Sequence, residues 1–413
     1  MKNPIQLTFG SYGHTLHHNQ VISPDNQWLV YDTRNEDTQI GITTRIERVN
    51  INTKEVEILY QVKSFNEYGP GVGAVTYSPN KNRVLFIHGI ANATKDKPYS
   101  MSRRTGVAID DNLPNQPIFM DARNIYSPFT KGALRGGTHS HAWSSDGLKI
   151  SFTYNDYVLE QQNIKDERVV GVMFPKKVVV SKDKAQENIS GEMFSFIVSD
   201  IVVNAKHGSD QIEKAFDECW LGNTNSIVFQ GWVRDKDGNR KTEIFKVDLP
   251  HDLSLVFDSP LIEGTDKLRP QVPKTINQKR VSDTLKGVSD FRHWLRSSLD
   301  GKFVYFLMED SENYSNIFQL NIENGEIEQI TYHQSSIHSP FNISPNGCQF
   351  VYFNDQQLYL FDLNKNKYIR LLERDEDYYG IPNFDKNGEF IFYNKYVEEQ
   401  NTSKFLQIFK IEL

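Results

Sequence analysis

The sequence predicts an all-β protein, a seven-bladed β-propeller, and three observations carry that expectation. A short frame of strand, Ser-x-Asp/Asn turn and strand recurs along the chain. Many copies of the frame are followed by a second hairpin, so that each unit supplies a four-stranded antiparallel sheet, which is a blade. The two chain ends read as complementary strands of one unit, so the N-terminal strand closes the last blade.

The frame appears first as Ile22-Ser-Pro-Asp25 before Trp28-Leu-Val-Tyr-Asp32, then as Tyr77-Ser-Pro-Asn80 before residues 83–88. It returns as Ser144-Ser-Asp-Gly147, Ser298-Leu-Asp-Gly301, Ser344-Pro-Asn-Gly347 and Asp385-Lys-Asn-Gly388, each leading into an apolar strand. Clusters of Pro, Asp, Asn and Gly between alternating apolar segments are hairpin signals. Second hairpins follow at 45–60, 316–331 and 358–372. The spacing is roughly fifty residues, in the range of propeller repeats.

Residues 157–290 are less regular. Residues 191–200 read as strand, 209–217 as a helix with Ser209 at its N-cap, and 226–233 with 242–249 as a blade lacking the signature turn. At the C-terminus, 404–413 reads as a third strand with nothing after it, and Ile5-Gln-Leu-Thr8 as an outermost strand. Pairing them removes the open sheet edges that invite aggregation. The expectation is therefore one domain over 1–413, with an irregular blade and insertions at about 157–290. A sandwich with a separate domain fits the repeats less well.

Composition narrows the function classes. The 38% hydrophobic and 12% aromatic content suffices for a packed core, and a net charge of −7 argues against general nucleic-acid or anionic-membrane binding. No apolar run approaches the ~20 residues of a membrane span, and the first residues lack the apolar core of a signal peptide. Cys219 and Cys348 give no disulfide framework. A cytoplasmic location is expected, and no protein partner can be named.

In a blade, the start of the inner strand and the end of the second strand lie at one face. That face collects His17, His18, His88, His139, His141, His293, His333 and His338 of the eleven histidines, together with Tyr154, Asp156, Arg292, Arg296, Glu309, Asp310, Tyr378 and Tyr379. In an extended strand His139 and His141 share a face, which suits a shared metal, while adjacent His17 and His18 point oppositely and at most one reaches the pore. Histidines with few carboxylates favour zinc or a late first-row metal over calcium. A lone histidine such as His293 is more often structural than a ligand. Arg103 and Arg104 either solvate a surface or bind an anion, and Gly136-Gly137 reads as a turn rather than a phosphate cradle. A His with an Arg on the same face can act as base and anion clamp. Asp156 and Glu309-Asp310 keep a glycosidase pair open. No nucleophile elbow, P-loop or dinucleotide fingerprint is present.

The chain resembles the YidR-like family of TolB-type, WD40-like propellers. The resemblance rests on Trp28-Leu-Val-Tyr-Asp32, Ile46-Glu-Arg-Val-Asn-Ile51, Phe86-Ile-His-Gly89, Gly132-Ala-Leu-Arg-Gly-Gly137, His139, His141, Ser151-Phe-Thr-Tyr-Asn-Asp156 and Arg292-His-Trp294. It implies the fold and no activity. More distantly, His88-Gly89, Thr138-His-Ser-His-Ala-Trp143 and Gln334-Ser-Ser-Ile-His338 are similar to segments of oligogalacturonate lyases, although the Glu-Gly-Pro after the catalytic His is missing and Pro340 replaces a second His. That resemblance implies a metal-dependent polysaccharide lyase acting on uronate-containing oligosaccharides by β-elimination. It assigns a divalent transition metal (manganese, zinc or nickel) to His139, His141, His293 and His338, and catalysis to His88 with Arg103, Arg104 and Tyr154. Substrate contacts fall to His18, Arg135, Arg292 and Arg296. No organic cofactor is expected. The competing reading is a non-catalytic scaffold that binds a protein or small ligand on the His-rich face.

Overall fold

The computed structural model describes residues 3–398 and 403–413. Its strands form seven blades in chain order, apart from one small parallel pair, Ala122–Arg123 with Ala133–Leu134. Blade 1 holds Trp28–Asp32, Arg45–Asn50 and Val56–Gln61, with residues 14–22 along its inner edge through bridges Thr15 to Asp32 and Ile22 to Leu29. The inner strands of blades 2 to 6 are Val72–Tyr77, Gly136–Trp143, Ala215–Trp220, Arg296–Ser297 and Asn342–Ile343. Blade 7 runs from Tyr378–Phe384 through Phe390–Glu398 and Lys404–Glu412, and Ile5–Gln6 adds its outer strand. Among the described residues no helix is long and apolar enough to cross a membrane.

The recurring turn is held by its own side chains. Ser144 Oγ donates to Asp146 Oδ1 at 2.5 Å and accepts from Lys149 N at 2.9 Å, while Leu148 N donates to Asp146 Oδ1 at 2.9 Å. Ser23 with Asp25, Ser298 with Asp300 and Ser344 with Asn346 repeat the pattern, and in blade 7 Asp385 takes the serine's place. Such local bonds fix the hairpin before any distant contact forms.

Packing then joins blade to blade. Val30, Ile46, Val75, Phe86 and Val107 fill the space between blades 1 and 2, and Leu307, Phe350 and Phe361 that between 5 and 6. Closure is made the same way. Leu7 packs with Leu29, Tyr31, Phe392 and Ile408, while Leu7 N donates to Ile408 O at 2.8 Å and Thr8 Oγ1 to Gln407 Oε1 at 3.0 Å.

Two local expectations are corrected. Residues 209–217 form no helix. They turn and enter the inner strand Ala215–Trp220, which makes blade 4 fully four-stranded, so pairing overrides the helical spacing. Gly136 and Gly137 lie inside a strand. A Cβ there would come within 1.9 Å of the Asn155 carbonyl oxygen and 2.2 Å of that of Met101, so both serve close backbone approach. The inner strands of blades 2, 3 and 4 are also bulged, with Ala74, Ser140 and Asp217 at φ of 56°, 55° and 49°.

Closure predicts a measurable cost at one side chain. Leu7→Ala removes a fully buried contact across the seam and should destabilise the protein by about 3 kcal/mol, the middle of the range for such truncations. Thermal melting checks it; an unchanged midpoint would mean that the seam does not carry stability.

Candidate functional site

A cavity of about 740 Å³ opens at the face where the inner strands begin. Its wall includes His17, His18, Arg34, Asp37, Phe291, Arg292 and Trp294, with His338, Phe353, Arg374, Tyr378 and Tyr379 opposite. Residues 14–22 bond as a strand only at Thr15 and Ile22, and Gln20 has a φ of 53°. Free of strict alternation, His17 and His18 both reach the cavity, against the expectation that at most one would. Their rings meet edge to face at 4.3 Å, and His18 stacks flat on Trp294 at 4.1 Å. Arg292 lies over the same indole at 4.5 Å.

The bulge at Ser140 separates the histidine pair. Two residues on the inner strand oppose one on its neighbour between His139 and Ala142, so the period of two fails where the site was expected to use it. His141 turns between blades. Its Nε2 lies 3.0 Å from Thr138 Oγ1, and a Cβ on Gly106 would come within 2.9 Å of that nitrogen. His139 is equally buried, yet neither of its ring nitrogens has a protein partner.

Several expected site residues are instead structural. His293 Nδ1 donates to Phe291 O at 2.7 Å and its Nε2 accepts from Leu307 N at 3.0 Å, which leaves no lone pair for a metal. His88 has Nδ1 2.5 Å from Gly89 O and Nε2 2.9 Å from the Tyr60 hydroxyl, so it has no free base nitrogen. Arg103 binds Glu187 and Asn92, both at 2.6 Å. Arg135 pairs with Asp156 at 2.9 Å and donates to Thr265 O, and Tyr154 donates to the same carboxylate at 3.0 Å. Asp156 also caps the short helix Tyr157–Gln161, and Asp310 closes a turn onto Tyr314 N, so neither stands as half of a carboxylate pair. Arg296 bridges three blades by donating to Asn342 Oδ1 at 2.7 Å and His18 O at 3.0 Å. His338 is exposed on the cavity wall, against the edge of Phe291. Among the described residues no three His, Cys, Asp or Glu side chains form a metal-holding group; both nitrogens of His293 are engaged, and His141 keeps only Nδ1 free. The expected four-histidine set does not fit a metal as it stands.

Of the two adjacent arginines, Arg104 is the one whose charge acts on His139 and His141. Its Nη1 donates to the Tyr99 hydroxyl at 3.0 Å and its Nε has no partner. Burial, then the charges of Arg104, Arg168 and Arg292, hold His139 well below the usual imidazole range. Burial pushes Glu218 up to about 8 and Asp217 up to about 6. Sequence reasoning missed Arg168, Asp217 and Glu218, which lie in the irregular stretch, and the ring role of Trp294. Only the arginine immediately ahead of the strand Val169–Val178 offered a signal.

Residues 71–189, which carry His88, His139 and the Arg103–Glu187 pair, match a family described as a protein of unknown function (DUF3748). Over 351 residues the chain is 34% identical to the uncharacterized protein YidR of Escherichia coli (strain K12), across 83% of this chain and 82% of YidR. The chain belongs to the YidR family. Two solved structures share its fold. One is an oligogalacturonate lyase in complex with manganese, at a TM-score of 0.57 and 11% identity over 100% of this chain and 96% of that one. The other is a puromycin hydrolase mutant complexed with PGG, at a TM-score of 0.57 and 8% identity over 98% of this chain and 55% of that one. At such identities the likeness is one of fold, and for the YidR family it places the seven blades but no reaction.

The buried titratable groups of this YidR-family chain make stability depend on pH in two opposed ways. Burial lowers His14, His293 and His333 to about 4 and His141 to about 3, from 6.5. These rings stay neutral in the fold while the unfolded chain takes up protons, so their contribution is intact above 6.5 and is lost as pH falls toward 4. Glu218 has the other sign: the fold retains its proton, so stability falls as pH rises from 4.5 through about 8. Glu218→Gln keeps an acceptor for Thr153, which donates to Glu218 at 2.9 Å. Melting curves should show this variant gaining on the parent as pH rises from 5 to 8 and holding that gain above 8. Parallel curves at all pH values would rule out a protonated Glu218.

Proposed function

We propose that this propeller binds an acidic, ring-bearing small ligand of the uronate-containing oligosaccharide class in the cavity at its mouth. One observation carries the reading. Arg292 lies on the Trp294 ring with its side chain 51% exposed, and its nearest carboxylates, Asp37 and Asp217, stand off at 3.5 and 3.9 Å. A guanidinium held by a ring rather than a short ion pair keeps its fork of donors for an incoming carboxylate. The surrounding wall combines the aromatic rings of Phe291, Tyr378 and Tyr379 with the hydroxyls of Ser335, Ser336 and Ser339, a mixture suited to a polar ring.

Catalysis by β-elimination is the second reading, favoured by the two unpartnered nitrogens of His139. An imidazole there would take the proton from the carbon beside the uronate carboxylate. The C–H electron pair would form the double bond, and the glycosidic oxygen would leave and gain a proton. His139 then fills the role first expected of His88. The propeller likeness to an oligogalacturonate lyase supports this as a matter of fold only.

Titration with digalacturonate, followed by tryptophan fluorescence, tests the binding reading. A saturable change is expected that a neutral disaccharide does not produce, and Arg292→Ala should weaken it about tenfold, the effect of losing one charge-assisted hydrogen bond. No response at millimolar acidic sugar would refute the assignment. Ultraviolet absorbance of an unsaturated product tests the second reading: His139→Ala should abolish it while binding persists, and binding without product in the parent identifies a non-catalytic scaffold.

A further inference from the structure

Arg292 belongs to a second group as well as to the cavity wall. Three arginines from different parts of the ring act on His139: Arg104 at the start of the third strand of blade 2, Arg168 ahead of the third strand of blade 3, and Arg292 ahead of blade 5. Arg104 is 3% exposed, and neither it nor Arg168 has a carboxylate within ion-pair distance among the described residues. Asp37 and Asp217 reach the group only through Arg292, at 3.5 and 3.9 Å. Arg168 is lowered by burial and then by repulsion from Arg292 and Arg104. Buried cations without counter-charges are costly, and a protein retains them where something anionic completes the set.

The second observation is the atoms left over. His139 is 4% exposed with both ring nitrogens unpartnered, and Arg104 Nε is unpartnered as well. Buried polar atoms are otherwise almost always bonded, so a group of them marks the place of a missing partner.

We propose that Arg104, Arg168 and Arg292 form a carboxylate-binding site around His139, and that guanidinium charge serves there in place of a metal ion. The ligand class, a uronate carboxylate, rests on the reading given above, while the arginine site itself does not. Arg292 connects the two, since it also lines the cavity. The failure of His139, His141, His293 and His338 to form a metal-holding group agrees with this assignment.

The test is calorimetric titration of the full chain with galacturonate, galactose and inorganic phosphate, with and without a chelator, for the parent, Arg168→Met and Arg168→Lys. Arg168 is only partly buried, and removing one of three mutually repelling cations should leave the melting temperature equal or higher, which shows that the variants fold. The expected result is galacturonate binding that ignores the chelator, weakens at least tenfold in Arg168→Met and partly returns in Arg168→Lys. Galacturonate binding unchanged in Arg168→Met would overturn the arginine site and leave the uronate reading standing. Loss of binding with the chelator would overturn the metal-free assignment. Arg168-dependent binding of phosphate without galacturonate would support the arginine site and remove the uronate reading. No binding of either anion would remove both.

Discussion

The seam between the chain ends is the constraint on which the rest depends. A propeller blade buries both faces against its neighbours, so a ring with one unsealed gap leaves two apolar faces open. Here the gap is sealed by Ile5–Gln6 paired to Lys404–Glu412 and by Leu7 beside Phe392 and Ile408. With the ring closed, the starts of seven inner strands converge on one mouth. That convergence brings residues as distant as His18, Trp294 and Tyr378 onto one cavity wall.

Within the ring, the bulges decide which way the central side chains point. Ser140 and Asp217 take left-handed conformations that few non-glycine residues adopt, and each sits where its inner strand reaches the middle of the ring. Such strain persists where the surroundings enforce it. At Ser140 the result is that His139 is left without a partner while His141 lodges against Thr138.

The arginines divide by how they are neutralised. Arg34 is held by Asp32, Arg103 by Glu187 and Arg135 by Asp156, each a buried pair that ties a loop to a blade. Arg104, Arg168 and Arg292 lack such short pairs, and they are the ones whose charges hold the His139 imidazole neutral. The buried pairs hold the scaffold in place, while the charges of the other three act together on the His139 imidazole.

The repeat, the seven blades and the closing strand were legible in the sequence alone. They follow from local chemistry, namely Ser and Asp side chains that tie a turn and alternating apolar residues that form its strands. The face where the cavity opens was legible too, because strand order sets which ends of the blades meet. What each residue does there was not. His88, His293, Arg103 and Arg135 have the residue types of a catalytic site but are engaged by Tyr60, Leu307, Glu187 and Asp156, partners that only the folded ring brings close. The bulge that parts His139 from His141 is likewise invisible to a period of two. Tertiary structure decided it, because one inserted residue re-aims the side chains beyond it and its left-handed backbone persists only where packing enforces it.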